Sequence, residues 1–285
     1  MLLLVDLDGV VYRGSEPIPG IADLLSRRVV AGDEVVYVTN NSMWYRADYV
    51  DRLKALGAPV SADRVVSSPR ATALYLRETD PGLERVLALG GPGLGRELTD
   101  AGFQVVMAGA AAERVVRDGL DRFEAAGRPG AVVVGLDPEL SWERLAVATS
   151  SIRAGARFIA TNRDPIYPTE RGLMPGSGAV VAAVEAASGV TPVSIGKPAP
   201  HLLEEAARVV GADPRDAVMI GDGISTDLLA ARAVGARCVL MLTGVSSRAQ
   251  AEALQGSSAP DAIAADAAEL ESALVRLRAG QVRAG

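Results

Sequence analysis

The chain has one cysteine and one histidine among 285 residues. Its lysines are Lys54 and Lys197, and its asparagines are Asn40, Asn41 and Asn162. A lone cysteine excludes an internal disulfide framework and a multi-cysteine zinc site. Cys238 sits in the strand-like run Arg237-Cys238-Val239-Leu240-Met241, with no base near it in sequence. A buried inert thiol is expected there, not a nucleophile. Basic clusters are missing too, and the net charge is −6, which argues against a nucleic-acid partner. Charges interrupt every apolar run well before the roughly 18 residues of a membrane span. The apolar start at residues 2–5 has no basic segment ahead of it and gives way to Asp6 and Asp8, unlike a signal peptide. A cytoplasmic protein with no membrane partner is the expectation. The acidic balance still admits a phosphorylated small substrate, provided that the positive charge holding it is local or comes from a metal. Where a residue type is scarce, a surviving copy is more apt to be chemically required. Most of the scarce residues here fall inside four motifs.

What is present is an alternation of apolar strand-like runs and helical segments. Residues 2–7 read as a buried strand ending in acids, 21–30 as a helix stopped by Gly32, 34–38 as the next strand, and 46–56 as an amphipathic helix closed by Gly57. Late in the chain come strands at 193–195, 217–220 and 237–242, with helices at about 200–210 and 227–234 between them. Such alternation predicts an α/β protein with a mostly parallel, Rossmann-like sheet covered on both faces. The middle repeats the theme at 85–89, 104–106, 131–134 and 157–160. The strongest motifs lie before residue 45 and after residue 190. The expected design is therefore a catalytic core of residues 1–79 and 176–285, with a second α/β domain inserted at 80–175.

The first motif is Asp6-Leu7-Asp8-Gly9-Val10. A strand ending in two acids presents both at the crevice where open α/β sheets bind ligands. Burying paired carboxylates there is unfavourable without a cation, which points to Mg²⁺. The second is Val38-Thr39-Asn40-Asn41-Ser42, whose hydroxyls, amides and backbone N–H groups suit phosphate oxygens. The third is Gly196-Lys197-Pro198, one of the two lysines directly after a strand. The fourth is Gly221-Asp222-Gly223-Ile224-Ser225-Thr226-Asp227, another strand end followed by a helix start. Each alone reads as a polar turn or a helix cap. Together, in this order, they are hard to attribute to chance.

The four segments resemble the motifs of the haloacid dehalogenase-like phosphohydrolases. Asp8-Gly9-Val10-Val11-Tyr12-Arg13-Gly14, the Asn pair at 40–41, Gly196-Lys197-Pro198 and the long insertion between Thr39 and Lys197 resemble the NagD-like branch of that superfamily. So do Ala160-Thr161-Asn162-Arg163-Asp164 and Gly176-Ser177-Gly178-Ala179, and the likeness covers nearly the whole chain. The branch includes p-nitrophenyl phosphatase-like, phosphoglycolate, glycerol-phosphate and pyridoxal phosphate phosphatases, with an α/β cap between the second and third motifs.

The resemblance implies a Mg²⁺-dependent phosphatase of small phosphorylated metabolites. Asp6 would be the nucleophile, forming an aspartyl-phosphate, and Asp8 the general acid and then base. Asp6, the Asp8 carbonyl and Asp222 would hold Mg²⁺. Thr39, Asn40 and Asn41 would bind the phosphate, and Lys197 would screen the charge of Asp6. Asp227 would orient Lys197 or the metal shell, with a simple helix cap as the competing assignment. Asn162, Arg163 and Asp164 would be cap residues that meet the leaving group, or else a structural turn of the cap. The branch also implies caps that contribute to a homodimer.

Two other classes compete. A haloacid-type hydrolase or phosphotransferase could use the same core, but a dehalogenase needs neither Asp8 nor Asp222. A catalytically silent binding module would not require the intact acids, Thr39 and Lys197. Three further features have ordinary readings. The glycine-rich Gly90-Gly91-Pro92-Gly93-Leu94-Gly95 contains a proline and lacks the acid of a dinucleotide site after 105–106, so a tight cap turn is expected. His201 is expected to pack at a helix start. Trp44 and Tyr45 either flank the cleft or pack elsewhere.

Overall fold

The computed structural model describes residues 1–121, 128–169 and 172–284. Grouped by contacts, the chain forms two compact units. The first comprises residues 1–39, 47–66 and 197 onward, and the second residues 40–46 and 67–196. The second unit contains the whole of the expected 80–175 insertion and extends it on both sides.

The first unit is built on a six-stranded sheet. Its order is Ala262–Ala264, Arg237–Met241, Ala217–Gly221, Leu2–Asp6, Glu34–Thr39 and Val65–Ser67. The first five strands run parallel. Leu2–Asp6 is buried along its whole length, which is why it reads as a continuous apolar run and not as an alternating one. Helix Ile21–Val30 covers one face through Ile21, Leu24 and Leu25. Burial of each such side chain stabilises the fold by about 1.5–3 kcal/mol. Helix Arg46–Ala55 adds Tyr49, Val50 and Leu53 to the same core. Cys238 is buried in its strand, and burial pushes its thiol up, as expected of an unreactive cysteine.

The second unit has its own five-stranded parallel sheet, ordered Val193–Ser194, Arg157–Ala160, Ala131–Val134, Arg85–Leu89 and Gln104–Met107. Leu87, Leu89, Val132, Val134, Val147, Phe158 and Val181 form its core. Helices Ser68–Thr79 and Ser177–Ser188, both outside the expected insertion, belong to this unit. The glycine-rich segment at 90–95 turns directly into helix Pro92–Asp100, with Pro92 in its first turn where a missing N–H does no harm. An antiparallel hairpin pairs Ile166–Thr169 with Gly172–Pro175. Among the described residues, no helix is long and apolar enough to cross a membrane.

Candidate active site

Strand Leu2–Asp6 lies between Glu34–Thr39 and Ala217–Gly221, and the three are parallel. Asp6 is in register with Val38, and Val5 with Ile220. Asp6, Thr39 and Asp222 therefore emerge at one edge of the sheet. The chain leaves the central strand toward one side and returns on the other, so this edge is a topological switch point, where open α/β sheets bind ligands.

Lys197 enters this edge from the start of the last segment of the unit. Its ammonium lies 2.8 Å from Asp6 Oδ1 and 2.6 Å from Asp227 Oδ1, and all three side chains are buried. Burial pulls the lysine toward neutrality, but Asp227 and Asp6 outweigh it and hold the ammonium above its usual range. Asp227 lies in a turn of π-helix, Ile224–Leu228. Its second oxygen accepts from the Gly223 amide at 2.8 Å. One carboxylate thus steadies both the lysine and the turn that carries it, whereas the residue at the N-cap position is Gly223.

Asp222 directly follows its strand. Its Oδ2 accepts the Val245 amide at 2.7 Å. Gly9, with φ +79°, and Gly244 approach so closely that a Cβ on either would overlap that carboxylate. Burial, helped by repulsion from Asp227, pushes the Asp222 carboxyl up to about 6. Burial also raises Asp6, against the pull of Lys197, and Asp227 and Asp222 raise it further. The Asp8 side chain reaches solvent at the mouth of this edge. Desolvation raises its pKa, and Arg52 and Lys197 temper the rise. Arg52 lies over the Tyr12 ring, 3.6 Å from its centroid, and donates to the Gly14 carbonyl.

Carboxylate oxygens of Asp6, Asp222 and Asp227 all lie within 4.8 Å of one another. Three buried carboxylates facing one ammonium leave an excess of negative charge, and burial, with mutual repulsion added to it, pushes Asp6 and Asp222 toward protonation. A hard divalent cation relieves that repulsion, and an all-oxygen donor set suits Mg²⁺. The residues fit the ion.

The remaining expected site residues lie in the second unit. The Asn40 amide donates to both Asp164 oxygens at 3.1 Å. The Asn40 carbonyl accepts from Asn162 Nδ2 and from Ser68 Oγ, each at 2.7 Å. Asn41 Oδ1 accepts the Met43 amide at 3.0 Å. Arg163 pairs with Glu185 on helix Ser177–Ser188. Asn162 and Asp164 are thus engaged with Asn40, and Arg163 is not. Tyr45 donates to Asp100 within this unit, and Trp44 is exposed. His201 opens helix His201–Arg208 with its Nδ1 3.1 Å from Glu204, consistent with a helix-start role.

Sequence reading missed the turn at residues 243–246. Its Val245 amide donates to Asp222, its Thr243 hydroxyl donates to the Gly9 carbonyl, and its Ser246 hydroxyl accepts the Ile224 amide. The available signal was its position, directly after the strand expected at 237–242, which the structure pairs with the strand that precedes Asp222.

Residues 3–104 match a family model described as haloacid dehalogenase-like hydrolase, and residues 194–270 match one described as HAD-hydrolase-like. An acid sugar phosphatase of Staphylococcus saprophyticus is 37% identical over 249 residues, spanning 87% of this chain and 89% of the relative. The chain belongs to the haloacid dehalogenase-like hydrolases. Solved structures of such hydrolases agree with the fold. A p-nitrophenyl phosphatase from Archaeoglobus fulgidus superposes with a TM-score of 0.82 at 29% identity, covering 95% of this chain and 98% of its own. A glycerol phosphate phosphatase from Mycobacterium tuberculosis, solved in complex with magnesium, superposes with a TM-score of 0.80 at 36% identity. That match covers 94% of this chain and 75% of the neighbour. The four motifs that carried the resemblance fall within the two matched stretches.

Proposed function

We propose that the protein is a Mg²⁺-dependent phosphatase of small phosphorylated metabolites, with phosphorylated sugars and glycerol phosphate as the first candidates. The observation that carries the reading is Lys197 held between Asp6 and Asp227, beside Asp222, at the carboxyl edge of the sheet. An ammonium locked against a carboxylate is what an anionic nucleophile needs if it is to approach a phosphate dianion. The names of the acid sugar phosphatase and glycerol phosphate phosphatase relatives support the substrate class.

In the proposed mechanism, Asp6 attacks phosphorus, the ester P–O bond breaks, and Asp8 gives its proton to the departing alcohol oxygen. Water then attacks the phosphoaspartate and loses its proton to Asp8. The bond from phosphorus to Asp6 breaks, and inorganic phosphate leaves. Asp6, the Asp8 carbonyl and Asp222 would hold Mg²⁺, which when bound neutralises phosphoryl charge. Thr39 and Asn40, with Asn41 beside it, receive phosphate oxygens. Lys197 screens Asp6, and Asp227 keeps Lys197 in place.

The second α/β unit acts as the cap, with residues 80–175 at its heart. Arg163 is its specificity candidate, while Asn162 and Asp164 brace Asn40. A cytoplasmic location and a cap-mediated homodimer complete the reading.

The test is turnover of a panel of phosphate esters, with and without Mg²⁺, together with mass spectrometry of quenched enzyme. The expected result is Mg²⁺-dependent release of phosphate and a phosphoryl adduct on Asp6. Full turnover after exhaustive chelation, or an adduct on another residue, would reject it.

A further inference from the structure

The turn after strand Arg237–Met241 takes no part in the chemistry proposed above, yet it touches both sides of the candidate metal site. The Thr243 hydroxyl donates to the Gly9 carbonyl at 2.5 Å. The Thr243 carbonyl accepts from the Arg13 guanidinium. Two residues on, the Val245 amide holds Asp222 Oδ2 at 2.7 Å.

Gly9 is where the backbone turns after Asp8, with φ +79°, a conformation that few residues other than glycine adopt. Its own amide donates to the Tyr12 carbonyl at 2.7 Å. The peptide before Gly9 is therefore fixed by Tyr12, and the peptide after it by Thr243. The first of these peptides carries the Asp8 carbonyl. One short turn thus restrains the Asp8–Gly9 corner through Thr243 and the Asp222 carboxylate through Val245.

We propose that Thr243 is a positioning residue that sets the spacing between the Asp8 carbonyl and the Asp222 carboxylate, and through it the size of the cation that the site accepts. The inference rests on the Mg²⁺-dependent reading above. Mg²⁺ demands near-ideal octahedral geometry with short bonds, whereas Ca²⁺ tolerates longer bonds and irregular shells. Loosening one wall of the site therefore weakens Mg²⁺ more than Ca²⁺. A turn residue that only stabilised the fold would show no such preference.

The experiment is calorimetric titration of Mg²⁺ and, separately, Ca²⁺ into the full-length wild type, Thr243→Val, Thr243→Ala and Thr243→Ser. Loss of the hydroxyl removes one hydrogen bond, so Thr243→Val and Thr243→Ala should raise the Mg²⁺ Kd by about tenfold. The Ca²⁺ Kd should rise by less than about threefold, and Thr243→Ser should stay within about twofold of wild type for both ions. Equal losses for the two ions, no loss at all, or failure of serine to rescue would overturn the assignment. If Thr243→Val does not fold, the alanine and serine variants carry the same comparison. A wild type that binds neither ion and hydrolyses no phosphate ester would reject the Mg²⁺-dependent reading itself. A wild type active with Mg²⁺, beside variants with an unchanged Mg²⁺-to-Ca²⁺ ratio, would reject the role of Thr243 alone.

Discussion

The Lys197 ammonium lies 2.6 Å from Asp227 Oδ1, and Asp227 is wholly buried. Nothing but protein dipoles and neighbouring charges can compensate either group, so each depends on the other. Lys197→Met should leave Asp6 and Asp227 facing each other without a cation. Breaking a buried pair in this way costs about 3–5 kcal/mol. The expected outcome is a large loss of stability in urea, partly recovered by Mg²⁺, together with loss of phosphatase activity. Asp227→Asn should be milder, because the amide can still meet the ammonium, and should lower kcat more than it raises KM.

The raised carboxyls of Asp6 and Asp222 link stability to pH and metal. Asp222 is pushed up to about 6 in the folded, metal-free protein. A group raised on folding contributes stability that is fully present below its unfolded pKa and is lost as pH rises through its folded pKa. This contribution to the metal-free protein should therefore fade between about pH 4 and pH 6. Mg²⁺ competes with protons for the same oxygens, so the melting-temperature gain on adding Mg²⁺ should grow across that window. Thermal melts with and without metal at several pH values would show it. In Asp222→Asn both the fading and the Mg²⁺ gain should shrink.

Asp6 and Asp8 stand one residue apart, but their tasks separate by leaving group. An alkyl alcohol needs a proton as it departs, whereas p-nitrophenolate is a stable anion. Loss of a general acid or base lowers rates by about 10² to 10⁴-fold. Asp8→Asn should slow phosphoryl transfer from alkyl phosphates far more than from p-nitrophenyl phosphate. With the latter it should give a burst of p-nitrophenol matched by phosphate on Asp6. Equal slowing for both substrates in pre-steady-state kinetics would leave Asp8 with a role in geometry only.

Arg163 and Asp164 are adjacent in sequence, yet they should behave differently. Arg163 reaches Glu185, while Asp164 grips the Asn40 amide through both oxygens. Arg163→Ala should reorder substrate preference and keep p-nitrophenyl phosphate turnover within about tenfold of wild type. Asp164→Ala should depress kcat/KM for every ester by a similar factor, because Asn40 loses its brace. Ranking a substrate panel for both variants decides between them.

Much of this architecture could be read from the residues alone. Asp6 and Thr39 end strands and Asp222 directly follows one, and alternating strands and helices placed those three strands in a parallel sheet, whereas Val193–Ser194, the strand before Lys197, pairs with Arg157–Ala160 in the sheet of the second unit. Helix Ile21–Val30 fell where its apolar spacing and Gly32 put it. What escaped the reading was set by contacts between distant residues. Asn162 meets Asn40 across 122 positions, and Thr243 meets Gly9 across 234. A hydroxyl after a strand carries no local mark of the carbonyl that it will find. The π-turn around Asp227 was equally hidden, because Ile224-Ser225-Thr226-Asp227 suits an ordinary helix start as well. The reach of the second unit was underestimated for a related reason. Helix Ser68–Thr79 has an apolar stripe that either sheet could have accommodated.

The discontinuous membership of residues 40–46 has a consequence for recombination between relatives. Their backbone follows Thr39 without a break, but they belong with their partners to the second unit: Asn40 with Asn162 and Asp164, Ser42 with Leu136, and Arg46 with Glu97 and Asp100. A chimera that exchanged only the long insertion would marry a foreign body to a native heptapeptide and break those contacts together. Crossover points that respect the physical seam come in two pairs, one flanking 40–46 and one flanking 67–196. Natural exchange of this unit among cousins would have to carry both pieces at once. The short one is thus expected to share the ancestry of the long one, whatever the history of the strand that precedes it.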